Sequence, residues 1–160
     1  MREKFVRLIS YAETLRGLTR YAAMMARPRE GGIFVPDPLY VNMAKYHFAH
    51  GYHEAIRDVQ DIAGGSLVTG PGAEDLESPE TAAYYDKYYA GRGVGGRDRL
   101  KALALVKDLV ASGFGAYQEV LAVHAEGSLE AEKLMVLRSY DRRPAVDFVR
   151  RLAGLPTAGM

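Results

Sequence analysis

His47, His50 and His53 stand three residues apart, and an i, i+3 pair of histidines on one helical face can chelate a metal ion. The third is rotated roughly 120° from the first around a helix, so all three cannot converge on one ion without a second helix. A neutral imidazole needs no special site. The three therefore read as a polar stripe on a solvated or subunit-facing helix, and no metal is expected. Gly91-Arg92-Gly93-Val94-Gly95-Gly96 has alternating glycines, but it follows a helical pattern, whereas a dinucleotide fingerprint leaves a strand and enters a helix. It reads as a hinge. Tyr84, Tyr85, Tyr88 and Tyr89 have the apolar body and polar tip that suit stacking on a planar ligand, and packing at a subunit interface uses the same residues for the same reason. The interface reading is preferred. His124, Glu119 and Ser128 are close in sequence, yet their spacing does not bring nucleophile, base and orienter to one face, so hydrolase chemistry is rejected.

The elements that must position these residues are helices. From Glu3 to Ala26 apolar residues recur at three- and four-residue steps, and Arg27-Pro28 followed by Gly31-Gly32 ends the pattern. Asp37-Pro38 is an N-cap followed by Pro in the first helical position, which predicts a helix from Pro38 to Ala63 stopped by Gly64, roughly 39 Å long. A long loop is expected from Gly64 to Glu77, and Ser78-Pro79 is expected to start a short helix that carries the four tyrosines. After the hinge a single long helix is expected as far as Gly127. Gly113 and Gly115 inside it would each cost about 1 kcal/mol relative to Ala, so a close helix crossing is expected there. Ser128 and Asp141 are the expected caps of the last two helices. No strand is expected. The fold class is all-α: one helical bundle of four or more helices over residues 1–160, with apolar arcs wide enough to bury a further face in a homo-oligomer, a dimer or a tetramer.

Composition narrows the function. Twenty-one Lys and Arg against twenty Asp and Glu leave a net charge of +1, which argues against a nucleic-acid partner bound by bulk charge. The chain has no Cys, which excludes disulfides, iron–sulfur ligation and a thiol nucleophile in this chain. No apolar run approaches a membrane span and no phosphate-loop motif occurs, so a cytoplasmic protein that is neither membrane-embedded nor a nucleotide hydrolase is expected.

Three segments carry a resemblance to a known family: residues 32–45, Gly-Ile-Phe-Val-Pro-Asp-Pro-Leu-Tyr-Val-Asn-Met-Ala-Lys; residues 60–65, Gln-Asp-Ile-Ala-Gly-Gly; and the run from Pro71 to Pro79. Together they resemble the C-terminal domain of the 4-hydroxyphenylacetate 3-hydroxylase family, which includes 4-hydroxybutyryl-CoA dehydratase and vinylacetyl-CoA isomerase. His124-Ala125-Glu126-Gly127-Ser128 is similar to that family's His-Gly-Ala-Gly-Ser segment, and Tyr140-Asp141 through Leu155 is similar to its C-terminal helix.

The resemblance implies an acyl-CoA dehydrogenase-like helical bundle, with N-terminal helical and β domains supplied elsewhere. It also implies an FAD site to which Gln60, Gly64 and Gly65 contribute. Glycines there would let backbone N–H groups approach phosphate oxygens. Leu121 stands where the dehydratase branch has a glutamate, and Glu119 lies about 200° further around the helix. The leading expectation is a helical subunit or fragment of a split flavin-dependent enzyme, inactive alone, that supplies an oligomer core and one wall of the FAD site. The competing expectation is a helical scaffold protein that has lost the flavin.

Overall fold

The computed structural model describes residues 1–125 and 127–156, and helix dominates them. Helix α1 runs Arg2–Met24, and a minimal hairpin follows, with β1 at Arg27–Pro28 antiparallel to β2 at Phe34–Val35. That hairpin corrects the expectation of no strand. Its strands are two residues each, shorter than any alternation can reveal, and the chain turns because Gly31 and Gly32 take φ of 79° and 76°.

Helix α2 spans Pro38–Ala63, the range expected from sequence. The Asp37 carboxylate accepts the Leu39 N–H at 2.9 Å, and the chain leaves the helix through Gly64 at φ 68°. The expected long loop that follows is partly helical: α3 occupies Ser66–Thr69 and α4 Ala73–Glu77. Here the Asp75 carboxylate accepts the Gly72 N–H at 2.9 Å and starts a turn. Ser78-Pro79 forms a turn, and α5 itself begins later than expected, at Ala82–Tyr89.

The largest correction concerns the single long helix expected after the hinge. It is two: α6 at Gly96–Val110 and α7 at Gly113–His124. Ser112 makes the break. Its hydroxyl donates to the Asp108 carbonyl at 2.6 Å and accepts the Gly115 N–H at 3.2 Å, so one side chain closes one helix and caps the next. Gly113 is accordingly a first-turn residue with open space around it, while a Cβ on Gly115 would sit 2.6 Å from the Leu109 carbonyl oxygen. The close approach is to the last turn of α6 and needs no separate crossing helix. Ser128 caps α8, Leu129–Ser139, and Asp141 accepts the Arg143 N–H at the start of α9, Arg143–Leu152.

The chain divides into two compact units: Met1–Glu13 with the chain from Phe48 through α7, and Thr14–His47 with the chain from Gly127 onward. In the first, Ala49, Leu67, Leu100, Val110 and Ala122 are buried, and Gly96 presses on the Asp86 backbone where α5 meets α6. In the second, the buried residues include Ala22, Ala44 and Glu132, with Lys45 3.8 Å from the Glu132 carboxylate. The buried apolar side chains among the described residues are Ala, Val and Leu. No helix among the described residues is long and apolar enough to cross a membrane.

Candidate functional site

Within the first unit, α1 and α2 are joined by a short ladder of contacts. The Tyr11 hydroxyl donates to the Phe48 carbonyl at 2.6 Å, and the Tyr11 ring lies over Gly51. One turn on, Arg7 grips Asp58 through two hydrogen bonds, Nε to Oδ2 at 2.8 Å and Nη2 to Oδ1 at 2.6 Å. Beyond that, Lys4 pairs with Asp61. The register follows from spacing: Lys4 and Arg7 are three apart on one helix, Asp58 and Asp61 three apart on the other, and residues at that step share a face. Asp58 is only 3% exposed. The adjacent guanidinium holds its carboxyl below the ordinary carboxylate range, and the carboxylate in turn raises Arg7.

The ladder ends in an open cleft of 670 Å³ lined by Lys4, Arg7, Arg57, Asp58, Gln60, Asp61 and Gly64. Two of the three residues expected at a cofactor, Gln60 and Gly64, are therefore on one wall. The Gln60 amide is engaged within the protein, since its Nε2 donates to the Val110 carbonyl at 2.5 Å. Val110 ends α6, and its carbonyl is one of those a helix terminus leaves without an intrahelical donor. Gln60 thus ties the end of α6 to α2. Gly64 needs its left-handed conformation. Gly65 has helical angles, φ −58° and ψ −24°, and a Cβ there would meet nothing within 4 Å. Inside this chain nothing demands glycine at 65, so the backbone at that point is open to approach from outside.

Lys4, Arg7 and Arg57 were not singled out from sequence. Their signal was present in the matched i, i+3 charge pairs, but charge pairs on two helices report proximity only once the helices are known to lie side by side. The cation set and the open backbone fit the diphosphate end of a flavin dinucleotide. No aromatic or large apolar side chain lines the cleft, so nothing there fits the flavin ring.

The remaining sequence candidates are not gathered here. His53 pairs through Nδ1 with Glu119 on α7, and among the described residues no three or more His, Asp or Glu side chains are arranged to hold a metal ion. Glu119 is thereby engaged away from His124, and the Ser128 hydroxyl serves as the cap of α8. In the His124–Ser128 segment, Glu126 lies outside the described residues. Tyr85 and Tyr89 contact each other with ring centroids 6.0 Å apart, while Tyr84 and Tyr88 face outward, Tyr88 under the Lys87 ammonium.

Residues 1–154 match the family model described as "HpaB: 4-hydroxyphenylacetate 3-hydroxylase C terminal". The 4-hydroxyphenylacetate 3-monooxygenase oxygenase component of Thermus thermophilus is 27% identical over 75% of this chain and 25% of its own length. The 4-hydroxybutyryl-CoA dehydratase/vinylacetyl-CoA-Δ-isomerase of Clostridium aminobutyricum is 21% identical over 97% of this chain and 34% of its own. Among solved structures, the oxygenase component of 4-hydroxyphenylacetate 3-monooxygenase, complexed with FAD and 4-hydroxyphenylacetate, superposes with a TM-score of 0.83 at 24% identity, covering 96% of this chain and 32% of that one. That likeness shows the fold. The chain spans about a quarter to a third of the length of the relatives it matches.

Proposed function

This chain belongs to the 4-hydroxyphenylacetate 3-hydroxylase C-terminal family, and from that premise we propose that it is the C-terminal helical part of a flavin-dependent enzyme of this kind. It supplies an oligomer core and one wall of an FAD site, and the N-terminal helical and β portions come from another chain or segment.

The observation that carries this reading is the apolar surface the helices leave uncovered. On α9, Val146, Phe148, Val149 and Leu152 recur at one-face spacing, and all are exposed, Leu152 at 74%. On α7, Phe114, Tyr117, Val120 and Leu121 are exposed in the same way, and Ile33 and Phe34 project from the hairpin. Surfaces of this kind mark interaction sites, and a homo-oligomer, dimer or tetramer, together with a partner chain would cover them.

Gly64 lines the cleft and Gly65 follows it with open space at its Cβ position, while Lys4, Arg7 and Arg57 line the place where a diphosphate would lie. When bound, the flavin supplies the redox chemistry. This chain's residues bind and orient its phosphate end, and the ring is housed by the partner.

The test is flavin titration, followed by fluorescence quenching, of the chain alone, of the chain mixed with a partner carrying the missing portions, and of the mixture bearing Gly65→Val. The chain alone should bind flavin weakly, the complex should bind it stoichiometrically, and Gly65→Val should weaken binding in the complex while leaving the helices intact. Tight stoichiometric binding by the chain alone would sink the shared-site reading. A complex that assembles with no affinity for flavin would favour the scaffold alternative.

A further inference from the structure

A second cavity, of 270 Å³, lies in the second unit between the hairpin and the start of α2, and Met25, Arg27 and Arg29 line one side of it. Side chains two apart in an extended chain share a face. The hairpin register sets Val35, which also lines the cavity, directly across from Arg27. Arg29 keeps extended angles, φ −117° and ψ 175°, and its N–H donates to the Ile33 carbonyl at 2.8 Å. Cross-strand pairing therefore fixes the backbone beneath both arginines. Among the described residues neither guanidinium makes a hydrogen bond, ion pair or ring contact. The carboxylate in the same lining is committed elsewhere, because Asp37 accepts the Leu39 N–H at 2.9 Å and the Tyr40 N–H at 3.4 Å at the start of α2. Two cations on one face are thus left for an anion from outside.

Spacing and lining define that anion. Positions two apart in an extended chain stand about 6.5 Å from each other, and each planar guanidinium fork matches one carboxylate. Forks rooted that far apart grip two carboxylates more readily than they converge on one compact group. Pro36 and Pro38 complete the wall and have no N–H to donate. With Met25 and Val35 they suit a hydrocarbon spacer, and a polar group on that spacer would lose water without gaining a partner. The volume falls just below the usual range for ligand pockets, so the ligand is small.

We propose that this cavity binds a short aliphatic dicarboxylate, with Arg27 and Arg29 each taking one carboxylate while Met25, Val35 and the two prolines enclose the methylene spacer. The site is independent of the flavin reading, since none of its residues lines the cleft at the end of α2.

Titration of the isotope-labelled 160-residue chain with glutarate at low ionic strength, followed through its amide resonances, tests the proposal. Saturable shifts should centre on Met25, Arg29 and Val35 and should weaken as salt is added. Arg27→Gln and Arg29→Gln should each weaken glutarate binding about three- to tenfold, and Arg29→Lys, which keeps the charge and loses the fork, should weaken it by a similar factor. Butyrate, with one carboxylate, should bind at least about tenfold more weakly than glutarate. Both arginines are exposed, so the variants should keep the helical circular dichroism of the wild type. The proposal is overturned by the absence of saturable shifts, by butyrate or inorganic phosphate binding as tightly as glutarate, by Arg29→Lys retaining full affinity, or by shifts that persist unchanged when both arginines are replaced by glutamine.

Discussion

Gly17 and Gly51 both sit in helix interiors, and the same substitution should have opposite effects at the two. In α1, a Cβ on Gly17 meets nothing within 4 Å, so Gly17→Ala recovers the ordinary helix advantage of about 1 kcal/mol. In α2, a Cβ on Gly51 would lie 2.6 Å and 2.9 Å from Cε2 and Cδ2 of Tyr11. A ring can swing away, but this one is anchored by its hydroxyl to the Phe48 carbonyl at 2.6 Å. Making room therefore costs about 1–3 kcal/mol of displaced packing and puts a hydrogen bond of about 1 kcal/mol at risk. Set against the helix gain, Gly51→Ala should destabilise by about 1–3 kcal/mol. Thermal melts at one fixed protein concentration resolve this, since a kcal/mol moves the midpoint of a chain this size by about 2–4 °C. A Tyr11→Ala background supplies the control: with the ring gone, Gly51→Ala should become stabilising by about 1 kcal/mol. If Gly51→Ala stabilises wild type as Gly17→Ala does, or if its effect does not change sign without Tyr11, the account of how α1 meets α2 is wrong.

At the loop that follows α2, Gly64→Ala forces a left-handed backbone on a residue with a Cβ and should cost about 1–2 kcal/mol, whereas Gly65→Ala should stay within about 0.5 kcal/mol; equal losses in the same melts would contradict the backbone assignment. At the start of α9, hydrogen bonds from Arg143 lower Asp141 from its ordinary 3.8 to about 2. A carboxyl lowered on folding stabilises the folded form above its unfolded pKa and loses that contribution as pH falls through the folded one. The Arg143 amide resonance should accordingly report fraying of the first turn of α9 between pH 3.8 and about 2, and Asp141→Asn should flatten that profile. Tyr11, pushed up to about 12 chiefly by burial, favours the folded state while neutral and opposes it at alkaline pH. The ultraviolet titration should show a late phenolate that Tyr11→Phe removes. In the proposed oligomer, with the exposed face of α9 at the interface, Val149→Asp should raise the dissociation constant more than tenfold by placing charge on apolar area that assembly would bury; light scattering that shows unchanged mass at low concentration would exclude α9 from the interface.

Sequence alone determined what local chemistry controls. The bounds of α2 were legible because Asp37-Pro38 and Gly64 act on backbone within a turn of themselves, and Ser128 and Asp141 announced the last two helices for the same reason. The helical class followed from periodicity, and the segments around residues 32–45 and 60–65 pointed to the family that residues 1–154 match.

Tertiary structure decided the rest. The break at Ala111–Ser112 was hidden because the apolar pattern continues across it; a single hydroxyl that bonds both helix ends, with Gly115 against the Leu109 carbonyl, turns the chain there. Gly64 and Gln60 could be picked out as residues, but the cleft could not. Its charge comes from Lys4 and Arg7, some fifty residues away, and Gln60 is held by a carbonyl fifty residues further on. Helical periodicity gives the face a side chain occupies and leaves open which helix lies against it. That choice set the partners of Arg7 and Gln60, and it made Gly51 a contact and Gly17 a gap.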